Sequence, residues 1–287
     1  MLASLAGVLF DGFAYGMLLF LLSVGLTVTL GMMNFVNLAH CSFAMVGGYA
    51  AVTLMNRFGW PFLATLPAAF MAAALLSIFL ERTLYRRLYR ASDLDQCLLT
   101  IGIVFISVAA FAWFYTSEQQ SALVPEYLRG SVQIFGQSFA TYRIFLIAVS
   151  LAISAILVLL LERTRFGARV RAAVDNQRMA RGLGIDVERT FMITFALGGG
   201  LAGLGGALAI QMVGLDPSFA LAFLVYVLIV VAVGGLGSIG GSFVAAMVLG
   251  ISDMAGKYYF PWLGAFLIYL VMVALLMWRP LGLFGKR

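Results

Sequence analysis

Three groups of residues in this chain have types and spacing that could do chemistry. The first is Gly235-Leu-Gly237-Ser-Ile-Gly240, which matches G-x-G-x-x-G. Between a buried strand and a helix, that spacing cradles a pyrophosphate. The preceding run 225–233 is apolar enough to be such a strand. However, no series of strand–helix alternations surrounds it, and Asp253 follows too soon to serve as the ribose-binding acid. The competing reading is a sharp glycine turn between two closely packed apolar segments, and the flanks favour it. The second group is Asn34, Asn37, His40 and Ser42, a dense polar cluster in an apolar region that holds the only histidine. Such groups either satisfy the backbone of a broken helix or line the path of a polar solute. Cys41 and Cys97 have neither disulfide nor metal-ligand spacing, so no metal site is expected. The third group lies in the stretch 162–189. On one helical wheel over 169–183, Ala172, Ala173, Asn176, Met179, Ala180 and Leu183 share a face, and Arg171, Asp175, Arg178 and Arg181 oppose it. A small-residue apolar face on a short, wet helix wants a partner groove, its own subunit, or the lipid headgroups. Gly182 and Gly184 supply the helix stop.

The elements that must carry these groups follow from composition. Of 287 residues, 63% are hydrophobic and 10% charged, with a mean hydropathy of +1.04. Soluble domains are nearer half apolar and a quarter charged, so a soluble enzyme, a disordered chain and a disulfide scaffold are all excluded. The composition predicts an all-α polytopic membrane protein, a single transmembrane domain over 1–287 in contact with lipid. Apolar stretches at 8–30, 38–55, 61–80, 97–116, 143–161, 190–212, 219–236, 240–252 and 262–278 predict about nine helices, within eight to ten. The second and eighth are short and rich in Gly or polar residues, so broken or re-entrant helices are expected there. Residues 1–10 carry no Lys or Arg, so the first stretch is read as a retained span rather than a cleaved signal.

Charge sets the orientation. Arg82, Arg86, Arg87 and Arg90, the seven arginines of 162–189, and Arg279, Lys286 and Arg287 make up fourteen of the 18 basic residues. A nine-span alternation puts these on one side. Arg57, Arg129, Arg143 and Lys257 fall on the other, with Asp11, Glu118, Glu126, Asp216 and Asp253. The positive-inside rule then makes the chain N-out and C-in, with 162–189 cytoplasmic. A net charge of +6 is thereby explained without nucleic acid. The spans hold almost no ionisable groups, which disfavours proton or sodium coupling. Gly199 and Gly203 form G-x-x-x-G, and Ala202 and Gly206 repeat the spacing. Such a flat stripe packs closely on another helix, within this subunit or in a second one.

Four motifs in order resemble the permease subunits of branched-chain amino acid ABC importers over nearly the whole chain. They are Asn34-Phe-Val-Asn37-Leu-Ala-His40, the loop with Ala172-Ala173, Asp175, Ala180 and Gly184-Ile185, Val233 to Gly241, and Arg279-Pro-Leu-Gly-Leu-Phe-Gly285. The match is to the shorter, H-type subunit, with one departure at Cys41, where the family usually has Gly. The resemblance implies a non-catalytic permease with a coupling helix at Ala172, Ala173, Asp175, Asn176, Met179, Ala180 and Gly184. On this reading the polar cluster Asn34, Asn37, His40 and Ser42 is the candidate substrate path. It also implies a second, M-type permease, two cytoplasmic ATPase subunits that bind ATP and Mg, and a periplasmic solute-binding protein. The absence of G-x-x-x-x-G-K-[ST] agrees that this chain holds no ATP of its own. A related permease for urea, short amides or aromatic acids, and an ATPase-independent channel, remain alternatives.

Overall fold

The computed structural model describes residues 2–33, 35–89, 91–134 and 137–285. Asn34, together with Arg90, Lys286 and Arg287 of the basic set, lies outside the described residues. The first helix, α1 (Leu2–Met33), is apolar on every face and sits at the centre, as an all-round hydrophobic helix must. After a non-helical stretch at 35–39 come α2 (His40–Phe58) and α3 (Phe62–Leu80). A π-helical turn, Glu81–Tyr85, carries α3 into the short α4 (Arg86–Leu88), so 62–88 is one rod. Next are α5 (Asp93–Tyr115), a hairpin of β1 (Ser131–Ile134) and β2 (Gln137–Ala140), and α6 (Thr141–Arg163). Two short helices follow, α7 (Arg165–Asp175) and α8 (Gln177–Gly182). The chain finishes with α9 (Val187–Val213), α10 (Phe219–Gly234), α11 (Ile239–Tyr259) and α12 (Gly264–Trp278).

The core forms where glycines let these helices meet. A Cβ on Gly12 would come within 2.6 Å of the Ile251 Cα, and one on Gly16 within 2.8 Å of the Ala246 carbonyl. This notch seats α1 on α11, its most extensive partner. Around this centre α5 and α6 are peripheral: Trp113, Phe114, Ile156 and Leu159 are exposed, as lipid-facing side chains would be. Hydrogen bonds and ring contacts mark two ends. At one, Tyr89 packs on Phe191, Met33 packs beside Ala180, and Leu283 N–H and Phe284 N–H donate to the Val233 and Gly234 carbonyls (2.7 and 3.2 Å). The tail thereby takes up orphan carbonyls at the end of α10. At the other end, Asn56 donates to the Ser121 carbonyl and Gln120 pairs with Leu215, while Arg143 pairs with Asp11.

Several expectations change. The all-α reading needs one amendment, the antiparallel β1–β2 hairpin, with Ser131 opposite Ala140 and Val132 opposite Phe139. It lies between α5 and α6, at the end where Phe139 meets Phe10 of α1. An open sheet edge is tolerated in water but not in lipid. Among the described residues, six helices are long and apolar enough to cross a membrane, with α10 and α12 shorter and α2 more polar. The eighth apolar stretch is not broken: α11 runs unbroken for 21 residues. Its glycine run is instead the preceding turn, where Gly235 and Gly237 take φ of 96° and 77° and Ser238 caps the helix by accepting from Gly241 N–H. That is a turn between helices and not a strand-to-helix phosphate loop. Likewise α2 is continuous, and the break falls ahead of it, at 35–39. The Asp253 side chain, read from the sequence as falling on the outer side, is not free. It is buried within the last turns of α11 and paired with Lys257 one turn on.

Candidate functional site

The non-helical stretch 35–39 carries backbone groups that lipid cannot satisfy, so polar side chains must. Val36 N–H donates to Gln96 Oε1 (2.9 Å) and Leu38 N–H to Thr100 Oγ1 (3.2 Å), both on α5. Asn37 accepts from Ala39 N–H through Oδ1 (3.1 Å), an Asx-type turn that sets up the start of α2. His40 is buried, with Nε2 3.1 Å from the Leu22 carbonyl of α1. Ser42 bonds Ser107 of α5 at 2.8 Å. The structure thus gathers Asn37, His40 and Ser42 around one break, each with a partner in this chain. Among the described residues, two buried polar atoms there stay unpaired, Asn37 Nδ2 and Tyr85 OH. Sequence reasoning missed Gln96, Thr100 and Ser107. Their signal was present: spaced four and seven apart on an otherwise apolar helix, they form a polar stripe on one face.

The loop 162–189 is not one helix. The Asn176 backbone leaves helical geometry (φ −154°, ψ 96°), and its side chain accepts from Met179 N–H (3.0 Å). A short polar side chain that offers the backbone this alternative bond ends α7 and caps α8. The face drawn on a single wheel is therefore divided. Ala173 and Ala180 are buried in a cluster with Val187 and Phe191, against Met33, Tyr89 and Ile185 of this same chain. Met179 and Leu183 are exposed, at 64% and 78%. Ala172 is half-buried, and Asp175 and Asn176 are exposed. Gly184 takes a φ of 80° with open space around it, which lets the chain turn from α8 into the Asp186 cap of α9. Leu183, Gly184, Phe166 and Arg169 border an open cleft of about 480 Å³.

Above this loop the start of α9 is fastened to the turn after α3. Arg86 pairs with Glu188, and Tyr89 donates to buried Glu81 Oε1 (2.8 Å). Burial, reinforced by that carboxylate, pushes the Tyr89 phenol well above its usual range, so it remains a neutral donor. The glycine stripe of α9 packs within the subunit. A Cβ at Gly199 would lie 2.7 Å from Ser77 Oγ, and one at Gly203 2.8 Å from the Ala69 carbonyl, both on α3. Gly206 meets the Ala44 backbone of α2. Among the described residues, no group of three or more His, Cys, Asp or Glu side chains could hold a metal ion.

The family described as branched-chain amino acid transport system, permease component, matches residues 8–276. The chain belongs to this family. The permease is a non-catalytic, multi-pass membrane subunit of the ABC type. It is 30% identical over 285 residues to the probable branched-chain amino acid transport permease protein LivH of Methanocaldococcus jannaschii, covering 94% of this chain and 90% of the relative. It is 25% identical to the high-affinity branched-chain amino acid transport system permease protein BraD of Pseudomonas aeruginosa, covering 97% and 95%. To the LivM permease protein of Escherichia coli it is 25% identical, covering 93% of this chain but 68% of the relative. No solved structure gives a significant match.

Proposed function

We propose that this permease moves branched-chain or other hydrophobic amino acids across a bacterial inner membrane, driven by ATP that two separate cytoplasmic subunits bind with Mg and hydrolyse. One observation carries the coupling part. Met179 of α8 and Leu183 at its end stand exposed, while Ala173 of α7 and Ala180 of α8 are packed onto the spans. An apolar knob on a rigid seat is what an ATPase groove would grip and push. On this reading the partner contact is made by Met179, Leu183, Asn176 and the open turn at Gly184, with Ala172 and Asp175 at its edge. Ala173 and Ala180 fix the seat.

The other parts of the reading rest on the family and on the clustering of charge. Nine spans with the N-terminus outside put 162–189, the 81–89 turn and the tail together in the cytoplasm, as the positive-inside rule asks. Similarity to both LivH and LivM proteins supports pairing with a second, M-type permease. A periplasmic binding protein would deliver the solute. The segment bearing Asn34, Asn37, His40 and Ser42 is read as a gate that moves rather than as a fixed lining, because its described side chains bond within the chain. The test is co-purification with the ATPase subunits and the second permease, then uptake of labelled leucine, urea and benzoate into proteoliposomes with the binding protein. ATP-dependent leucine uptake is the expected result. Uptake of urea or benzoate instead would reassign the solute, and uptake by this chain alone would defeat the ATP-driven reading.

A further inference from the structure

The loop's seat and the broken stretch share aromatic side chains. Phe191, in the cluster that holds Ala173 and Ala180, meets Tyr89 edge-on at 6.0 Å. Tyr89 meets Phe35 edge-on at 5.7 Å, and Phe35 is fully buried at the head of the non-helical stretch. Phe35 also contacts Tyr85 (5.2 Å) and Phe195 (6.0 Å), and Phe195 contacts Phe43 of α2 (6.4 Å). A second link runs beside the first. Gln96, which accepts from Val36 N–H, donates to the Leu88 carbonyl next to Tyr89 (3.2 Å). Close-packed rings do not deform smoothly; they move together or exchange partners. The stretch they reach is not at its best in this conformation. Among the described residues, Asn37 Nδ2, two positions after Phe35, and the OH of Tyr85, which packs on Phe35, are buried donors without acceptors. Such groups call for an explanation, and a second arrangement that pairs them supplies one.

We infer that Tyr89 and Phe35 are positioning residues that transmit displacement of the α7–α8 loop to the 35–39 stretch, which exchanges between two seatings during the ATP cycle. This rests on the coupling reading above. The native thiol of Cys41, buried one residue into α2, reports the exchange. The experiment uses the full complex in lipid discs with Cys97→Ser in this chain. Cys41 alkylation by a small maleimide is followed by mass spectrometry, without nucleotide and with ATP plus vanadate. Alkylation is expected to rise at least about tenfold on trapping, because a minor seating becomes the main one. Tyr89→Leu and Phe35→Leu should retain both ATPase subunits and hydrolyse ATP but lose that rise, whereas Tyr89→Phe, which keeps the ring, should retain it. Cys41 labelling that is indifferent to trapping in the unsubstituted background overturns the inference alone, even if the leucine variants fail to assemble. A persisting rise in assembled leucine variants does the same. Failure of the unsubstituted chain to retain ATPase subunits overturns the coupling reading as well.

Discussion

The Gln96 side chain accepts from Val36 and donates to Leu88, so one amide supports the break before α2 and the end of the 62–88 rod. Gln96→Leu keeps the volume and removes these bonds and a longer one to the Ala91 carbonyl, leaving the half-buried Val36 N–H unpaired. An orphaned buried donor costs about 1–3 kcal/mol, so the thermal midpoint of the purified protein should fall clearly. His40→Ala removes one buried bond, worth about 0.5–1.5 kcal/mol, and opens a cavity beside Gly25 that adds to the cost. A lower midpoint and yield are expected, and an unchanged melting curve with lost transport would restore His40 to a direct role in the path. The polar residues of the break were legible from their density in an apolar run. Their partners were not, because Gln96 and Thr100 lie about 60 residues away in sequence and only the packed helices bring them close.

At the scale of elements, the short helices of the loop separate two roles that a single wheel merges. Leu183→Asp should abolish ATPase co-purification with the melting curve intact, since Leu183 touches little of its own chain. Ala173→Arg should instead lower stability by more than about 2 kcal/mol, because it buries a cation in an apolar cluster. Equal melting of the two variants would refute the division. The apolar spacing over 169–183 was readable. The kink was not, because an asparagine in helical context can face solvent or cap a new helix, and only tertiary packing on Phe191 and Tyr89 selects between them. Glycines offer a similar contrast. Gly206→Val should prevent close packing of α9 on α2 and abolish folded protein, whereas Gly102→Ala, with no neighbour within 4 Å, should be neutral or slightly stabilising in a size-exclusion and melting assay.

At the scale of the molecule, the basic segments group as the charge count suggested, since Arg86, the α9 cap and the tail all meet at one end. The all-helical, membrane-spanning character was legible because lipid imposes one length on apolar helices, and six helices here have it. Which helices would be central was only partly so: mean hydropathy does not tell a helix surrounded by protein from one surrounded by lipid. Deleting 280–285 should expose the Val233 and Gly234 carbonyls and lower the melting midpoint, by about 0.5–1.5 kcal/mol for each lost bond. The α1–α11 notch has a consequence in time. The two helices lie about 200 residues apart in the chain, and ribosomes add about 5–20 residues per second. On that scale α1 waits roughly 10–40 s for its main partner. During that interval the faces of Gly12 and Gly16 are open to any other close-fitting helix, so the step most exposed to misassembly is the holding of α1 until α11 arrives.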